Sequence, residues 1–90
     1  MFKYESVIIL KPNVSEEEKT RIINKVKEIV NVTETNDLGV RRLAYEAKGN
    51  KEAHYIQFFF EDEKEKTIEV EKYYRLDEKI LEFMIVRIDD

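Results

Sequence analysis

The 90-residue sequence contains no cysteine and no tryptophan, and it has one proline, two glycines and one histidine. The absence of cysteine excludes disulfides, cysteine-bound zinc and a thiol nucleophile, and it is typical of a protein from a reducing compartment. No apolar run approaches the ~20 residues that cross a bilayer, and the first residues lack the pattern of a secretory signal. We therefore expect a cytoplasmic, soluble protein.

The residues that catalysis usually needs are also scarce. Two serines and one histidine provide no Ser-His-Asp spacing, no nucleophile beside a base and no glycine-rich phosphate loop. The acidic runs at residues 16–18 and 61–63 precede predicted helices, where negative charge is favourable against the helix dipole, so we interpret them as structural. The sequence thus predicts a protein that is not an enzyme and that binds no cofactor and no metal.

Hydrophobic periodicity predicts a β-α-β-β-α-β order. Ser15 and Glu18 have the spacing of a capping box, and apolar residues downstream recur at intervals of three and four, which indicates a helix. Asn36, Asp37 and Gly39 predict a bulge or bend in the long second strand. The predicted strands cover residues 2–10, 32–48, 52–60 and 80–88, and the second helix covers residues 62–75.

This order predicts an α+β fold, a ferredoxin-like sandwich formed by one domain over residues 1–90. Two right-handed crossovers place both helices on one face of a four-stranded antiparallel sheet. Nothing in the chain is left to cover the other face. We call that uncovered side the open face.

A hairpin turn predicted at Gly49-Asn50 determines which residues should lie on the open face. It pairs Arg42 with Gln57, and by the same offset it sets Val40 opposite Phe59, Ala44 opposite Tyr55, Leu43 opposite Ile56, and Tyr45 opposite His54. Opposed residues share a face, so Val40, Arg42 and Ala44 are expected on the open face. With the outward side chains of the first strand, the predicted protein-binding residues are Val7, Ile9, Tyr55 and Phe59. His54 falls on the core side, where a structural role is favoured.

Two adjacent arginines, Arg41 and Arg42, stand out in a chain of net charge −4. Lysine and arginine supply most of the affinity of proteins for nucleic-acid phosphates. The negative net charge of the whole chain therefore argues against a nucleic-acid partner, whereas this basic segment argues for one. Protection of an edge strand explains the pair equally well. Successive strand residues point to opposite faces, and Arg42 is the one expected beside a partner on the open face.

Four segments, in order along the chain, resemble those of one family: residues 1–5 with Lys11-Pro12-Asn13; Gly39-Val40-Arg41-Arg42-Leu43-Ala44-Tyr45; Ala53-His54-Tyr55-Ile56; and Tyr74-Arg75-Leu76-Asp77-Glu78-Lys79-Ile80 leading into Phe83-Met84-Ile85-Val86-Arg87. The family is that of the bacterial small-subunit ribosomal protein numbered six. The chain departs from the family pattern at Phe2, Glu46, Ala47 and Glu82.

The resemblance implies a structural constituent of the small ribosomal subunit. It implies binding to the central domain of small-subunit ribosomal RNA together with the small-subunit protein numbered eighteen, which packs on the open face. An RNA-binding role is carried over to Lys3, Arg41, Arg42, Arg75 and Arg87. A location on the ribosome, and hence in the cytoplasm, follows from the same resemblance.

Two other functions fit the same topology. In a module resembling the RNA-recognition motif, Tyr55 and Phe59 would stack on single-stranded bases, although Val7 and Ile9 are aliphatic where such a platform has rings. A small acyl-phosphate hydrolase would need an arginine in its phosphate loop, and Asn13 has no arginine beside it. The ribosomal interpretation is the favoured one.

Overall fold

A computed structural model describes residues 1–88, so the last two positions of the predicted domain, Asp89 and Asp90, lie outside the described residues. The elements follow one another in the predicted β-α-β-β-α-β order. They are β1 (Phe2–Leu10), α1 (Glu16–Ile29), β2 (Val32–Ala47), β3 (Asn50–Asp62), α2 (Lys64–Leu76) and β4 (Ile80–Arg87).

The strands form one antiparallel sheet in the order β2-β3-β1-β4. The main core contains buried residues of both helices, such as Ile22 and Tyr74, packed against sheet residues such as Ile8 and Phe58. The helices therefore cover one face, and the predicted ferredoxin-like fold is confirmed. No helix within residues 1–88 is long and apolar enough to cross a membrane.

Both helices bury a narrow apolar side. The predicted capping box is present in α1, where the Glu18 amide donates to Ser15 Oγ (3.1 Å) and the Ser15 amide donates to Glu18 Oε1 (3.0 Å). In α2 the buried residues are Val70 and Tyr74. This helix begins at Lys64 rather than at the predicted residue 62, because β3 continues through Asp62.

β2 has the predicted bulge at Asp37 and Gly39. The pairing with β3 shifts between these two residues, and Gly39 has a φ of 77°, a conformation that favours glycine. The Gly39 amide donates to Asp37 Oδ1 at 2.9 Å, which stabilises the local turn. The bulge lies at the start of the part of β2 that leads into the β2-β3 hairpin.

The predicted hairpin turn and register were wrong. Lys48 and Gly49, with φ angles of 48° and 83°, form the turn, and Ala47 pairs with Asn50. An irregularity between Arg42 and Ala47 then sets four residues of β2 against the single residue Lys51 of β3. A prediction that assumes regular pairing cannot anticipate this change.

The corrected register moves several side chains to the other face. Val40 is opposite His54 and Arg42 is opposite Glu52, not Phe59 and Gln57 as expected. Val40 and Arg42 therefore belong to the face that carries Ile56, and the predicted open-face position of both was wrong. Leu43, Ala44 and Tyr45 all lie within the irregular segment. None of them pairs with its predicted partner on β3, which was Ile56, Tyr55 and His54, respectively. Arg41, opposite Ala53, is the arginine on the open-face side.

Candidate protein and nucleic-acid interface

The open face is built around the outward residues of the central strand β1. Burial alternates along this strand: Tyr4, Ser6, Ile8 and Leu10 are buried, whereas Glu5, Val7 and Ile9 are partly exposed. On the neighbouring strand, Gln57 lies opposite Val7 and Tyr55 lies opposite Ile9. The structure therefore places Val7, Ile9, Tyr55 and Phe59 on the face turned away from the helices.

β4 adds apolar residues to the open face that were not predicted as part of it. Met84 lies opposite Val7, and Val86 lies opposite Glu5. The two side chains are 42% and 40% exposed. The available signal was the apolar character of residues 83–86 at both odd and even positions, which indicates a strand with apolar side chains on both faces.

A chain of hydrogen bonds crosses the open face between Phe59 and the other apolar residues. Gln57 Nε2 donates to Glu5 Oε2 at 2.7 Å, and Asn36 Nδ2 donates to Gln57 Oε1 at 3.1 Å and to Glu34 Oε2 at 2.7 Å. The polar side chains thus satisfy one another, so covering them leaves fewer groups unpaired. This network depends on the β2-β3 register, and no pattern in the sequence indicated it.

An open groove of about 880 Å³ runs along the apolar part of this face and past the edge of β4. Val7, Ile9, Tyr55 and Met84 line its apolar side, and its wall also contains the charged residues Lys48, Arg75 and Glu82. Its size is within the range of small-molecule pockets, but it is open and mostly apolar. Apolar side chains of another polypeptide are therefore a better chemical match than a charged small molecule.

The β2-β3 hairpin over residues 40–53, which we call the arm, is locally basic. It carries four basic residues and two acidic ones, in contrast to the net charge of −4 of the whole chain. Both Arg41 and Arg42 are exposed, and they face opposite sides of the arm. Tyr45 is 88% exposed. The arm therefore presents positive charge and an aromatic ring to solvent.

The five predicted RNA-binding residues lie in three separate places. Lys3 and Arg87 are at the end of the sheet opposite the arm, with Lys3 opposite Glu61 and Arg87 3.8 Å from the centroid of the Phe2 ring. Arg75, at the end of α2, bonds Glu71 Oε1 at 2.6 Å and lies over the Phe83 ring. Arg41 and Arg42 are on the arm.

Asp37 connects the base of the arm to α1. Its carboxylate accepts hydrogen bonds from Lys19 Nζ (2.7 Å) and the Gly39 amide, and His54 Nε2 lies 2.5 Å from Oδ1. Partial burial by itself would raise the pKa of Asp37, but these partners lower it to about 2. His54 thus has the contacts of a structural residue, and an ion pair between Asp37 and Lys19 connects the base of the arm to α1.

Comparisons with known proteins agree with the resemblance seen in the motifs. The family model for ribosomal protein S6 matches residues 3–87. The "small ribosomal subunit protein bS6" of Helicobacter acinonychis is 38% identical over 99% of this chain and 66% of that protein, so the chain spans about two thirds of its length. The protein of the same name from Desulforudis audaxviator is 37% identical over 99% of this chain and 100% of that protein.

A solved structure agrees with both the fold and the family. The crystal structure of 30S ribosomal protein S6 from Thermotoga maritima superposes with a TM-score of 0.89 at 30% sequence identity. The match covers 97% of this chain and 87% of that chain. The predicted family resemblance is confirmed, and the chain belongs to the ribosomal protein S6 family.

Proposed function

We propose that this chain is a structural constituent of the small ribosomal subunit, acting as one ferredoxin-like unit without catalytic activity or cofactor. It binds the central domain of small-subunit ribosomal RNA, with the small-subunit protein numbered eighteen on its open face, and it is located on the ribosome and hence in the cytoplasm. Membership of a ribosomal protein family supports this role. The observation that carries it is the apolar groove on a sheet face that residues 1–88 leave uncovered.

An uncovered apolar sheet face argues for a protein partner. Antiparallel sheets usually have a polar outer face, and a contiguous apolar patch marks an interaction surface. Val7, Ile9, Tyr55 and Phe59 are already partly buried, so covering them yields roughly half of the ~1.5–3 kcal/mol of full burial for each. Association costs about 4–15 kcal/mol, so the protein contact alone would be weak. Simultaneous binding of RNA by both proteins would provide the remaining affinity.

The basic residues are distributed as an extended RNA contact requires. Arg41 and Arg42 on the arm, Lys3 and Arg87 at the other end of the sheet, and Arg75 on α2 lie along different sides of the molecule. Phosphate contacts supply affinity and position without reading sequence. Arg41 is next to the open face, so in this proposal it contacts RNA where the partner protein also lies, whereas Arg42 contacts RNA on the opposite side of the arm.

Salt-dependent binding tests the RNA contacts. The chain, the purified partner protein and a central-domain RNA fragment are mixed, and the dissociation constant is measured at several salt concentrations. We expect Arg41→Ala to weaken binding and to reduce the log–log slope by roughly 0.7–0.9, the contribution of one phosphate. Lys72→Ala, on the exposed side of α2, is the control and should leave the slope unchanged. An Arg41→Ala slope equal to that of the wild type would contradict the proposed contact.

A second experiment distinguishes binding of a partner protein on the open face from stacking of RNA bases on that face. We expect Ile9→Glu to abolish binding of the partner protein, because it places a charge in the apolar groove, while thermal unfolding of the isolated chain changes little. If instead the isolated chain binds short single-stranded RNA tightly and Tyr55→Ala removes that binding, the open face is an RNA-stacking platform and the proposal is wrong.

A further inference from the structure

The two edges of the sheet differ in how they are protected against pairing with another strand. The strand order leaves β2 and β4 at the edges. β2 has charged residues, among them Glu34, Asp37 and Arg41, and three irregularities in its pairing with β3. β4 contains two charged residues, Glu82 and Arg87, and one irregularity where it pairs with Ile9 and Leu10 of β1. Between the two charges, residues 83–86 contain no charge, no proline and no glycine and pair regularly. Charges and bulges are the features by which natural edge strands avoid new pairing, so this part of β4 is the less protected edge.

The outer side of β4 presents backbone groups that are available for hydrogen bonds. Residues 82–88 pair regularly with β1, and the Ile88 amide donates to the Lys3 carbonyl at 2.9 Å. Because the backbone groups of successive strand residues point to opposite sides, those of Phe83 and Ile85 point away from β1. Within residues 1–88 these outer groups have no backbone partner.

We propose that β4 pairs with β4 of a second copy of this chain, antiparallel and about a two-fold axis at Ile85. A pair centred on Ile85 aligns the whole regular segment 82–88 of one copy with the same segment of the other copy. In this register Met84 lies opposite the partner's Val86, and Glu82 lies opposite the partner's Ile88, so no like charges meet. The proposal goes beyond the ribosomal role, because it concerns the free protein in solution.

The side chains of β4 are self-complementary in this arrangement. Met84, Val86 and Ile88 are 42%, 40% and 47% exposed in the single chain. Pairing would bring them together on the open-face side and join two four-stranded sheets into one of eight strands. A two-fold interface uses the same patch on both copies, so each apolar contact occurs twice. A second copy therefore matches this edge in both backbone geometry and side-chain chemistry.

Two double variants test the register as well as the association. Met84→Lys with Val86→Lys sets lysine opposite lysine at two symmetric positions, whereas Met84→Lys with Val86→Glu sets lysine opposite glutamate. We expect the first variant to raise the dimer dissociation constant roughly tenfold or more and the second to keep it close to that of the wild type. Sedimentation equilibrium over concentrations from about 1 μM to about 1 mM measures both constants.

Controls distinguish pairing at β4 from other association. Ile68→Lys alters an exposed apolar residue of α2 and should leave the dissociation constant unchanged. The Phe83 and Ile85 amides should exchange with solvent more slowly in concentrated than in dilute samples. A chain that stays monomeric throughout this range overturns the proposal. The proposal is also wrong if the double lysine variant still forms the dimer. It is equally wrong if the Lys/Glu variant is folded but no longer forms the dimer.

Discussion

The Tyr74 hydroxyl lies 2.8 Å from Ser6 Oγ in the interior of the protein, where it links α2 to the central strand β1. Both residues are buried. Burial raises the pKa of Tyr74 to about 12, and the hydrogen bond with Ser6 opposes that shift. This pair is a polar contact between helix and sheet in a region that is otherwise apolar.

We predict that the costs of removing the two hydroxyl groups are not additive, because removing either one leaves the other buried without its partner. Tyr74→Phe leaves the Ser6 hydroxyl buried without its partner and should lower the free energy of unfolding by about 1–3 kcal/mol. Ser6→Ala should have a comparable effect through the Tyr74 hydroxyl. In the double variant no unpaired group remains, so its cost should be clearly smaller than the sum of the two single costs. Urea unfolding of the four proteins measures this, and strictly additive costs would contradict a direct interaction.

Ile8 and Val7 are neighbours on β1 that face opposite sides of the sheet. Ile8 is fully buried in the core, whereas Val7 is partly exposed on the open face. We predict that Ile8→Ala lowers the free energy of unfolding by about 2–5 kcal/mol because it leaves a cavity, while Val7→Ala costs less than about 1 kcal/mol. Denaturant titration of the two variants compares them directly, and a larger cost at Val7 would mean that the helices cover the other face.

The sequence was sufficient to predict the fold because the signals for each element agree with one another. The capping box at Ser15, the period of three to four in α1 and the two-residue alternation in β1 are local features that survive in the structure. The choice of Val7 and Ile9 as outward residues also follows from the alternation alone. These predictions need no knowledge of how distant strands pair.

The arm was predicted less well because its geometry depends on irregular pairing. The turn lies one residue away from its predicted position, and four residues of β2 are opposite one residue of β3. Together these two differences exchange the faces of Arg41 and Arg42. A shift of one residue reverses the orientation of every side chain, so small errors in register change a predicted site completely. Met84 and Val86 were missed for a related reason, since their face depends on the pairing of β4 with β1.

Lys48 has a positive φ of 48° in the hairpin turn, a conformation that asparagine and glycine adopt more readily than lysine. We predict that Lys48→Asn raises the free energy of unfolding by about 0.5–1 kcal/mol and the melting temperature by a few degrees. Lys51→Asn is the control: it removes the same charge from a strand position, where asparagine is disfavoured. Thermal unfolding by circular dichroism measures both variants, and an equal gain at position 51 would attribute the effect to charge instead of backbone conformation.

Asp37 should make the stability of the protein depend on pH in the acid range. Its pKa is about 2 in the folded chain and 3.8 as the ordinary value, so its contribution is complete above about pH 4 and is lost as the pH falls through 2. Because the side chain is 43% exposed, we expect the contribution to be about 1 kcal/mol, less than the pKa difference alone suggests. Asp37→Asn should therefore be less stable than the wild type at neutral pH, and the difference should shrink between pH 4 and pH 2.

Urea titrations at several pH values check this, with Glu46→Gln as the control on the arm. A stability difference that stays constant over this range would show that the Asp37 contacts with Lys19 and His54 do not stabilise the fold through charge.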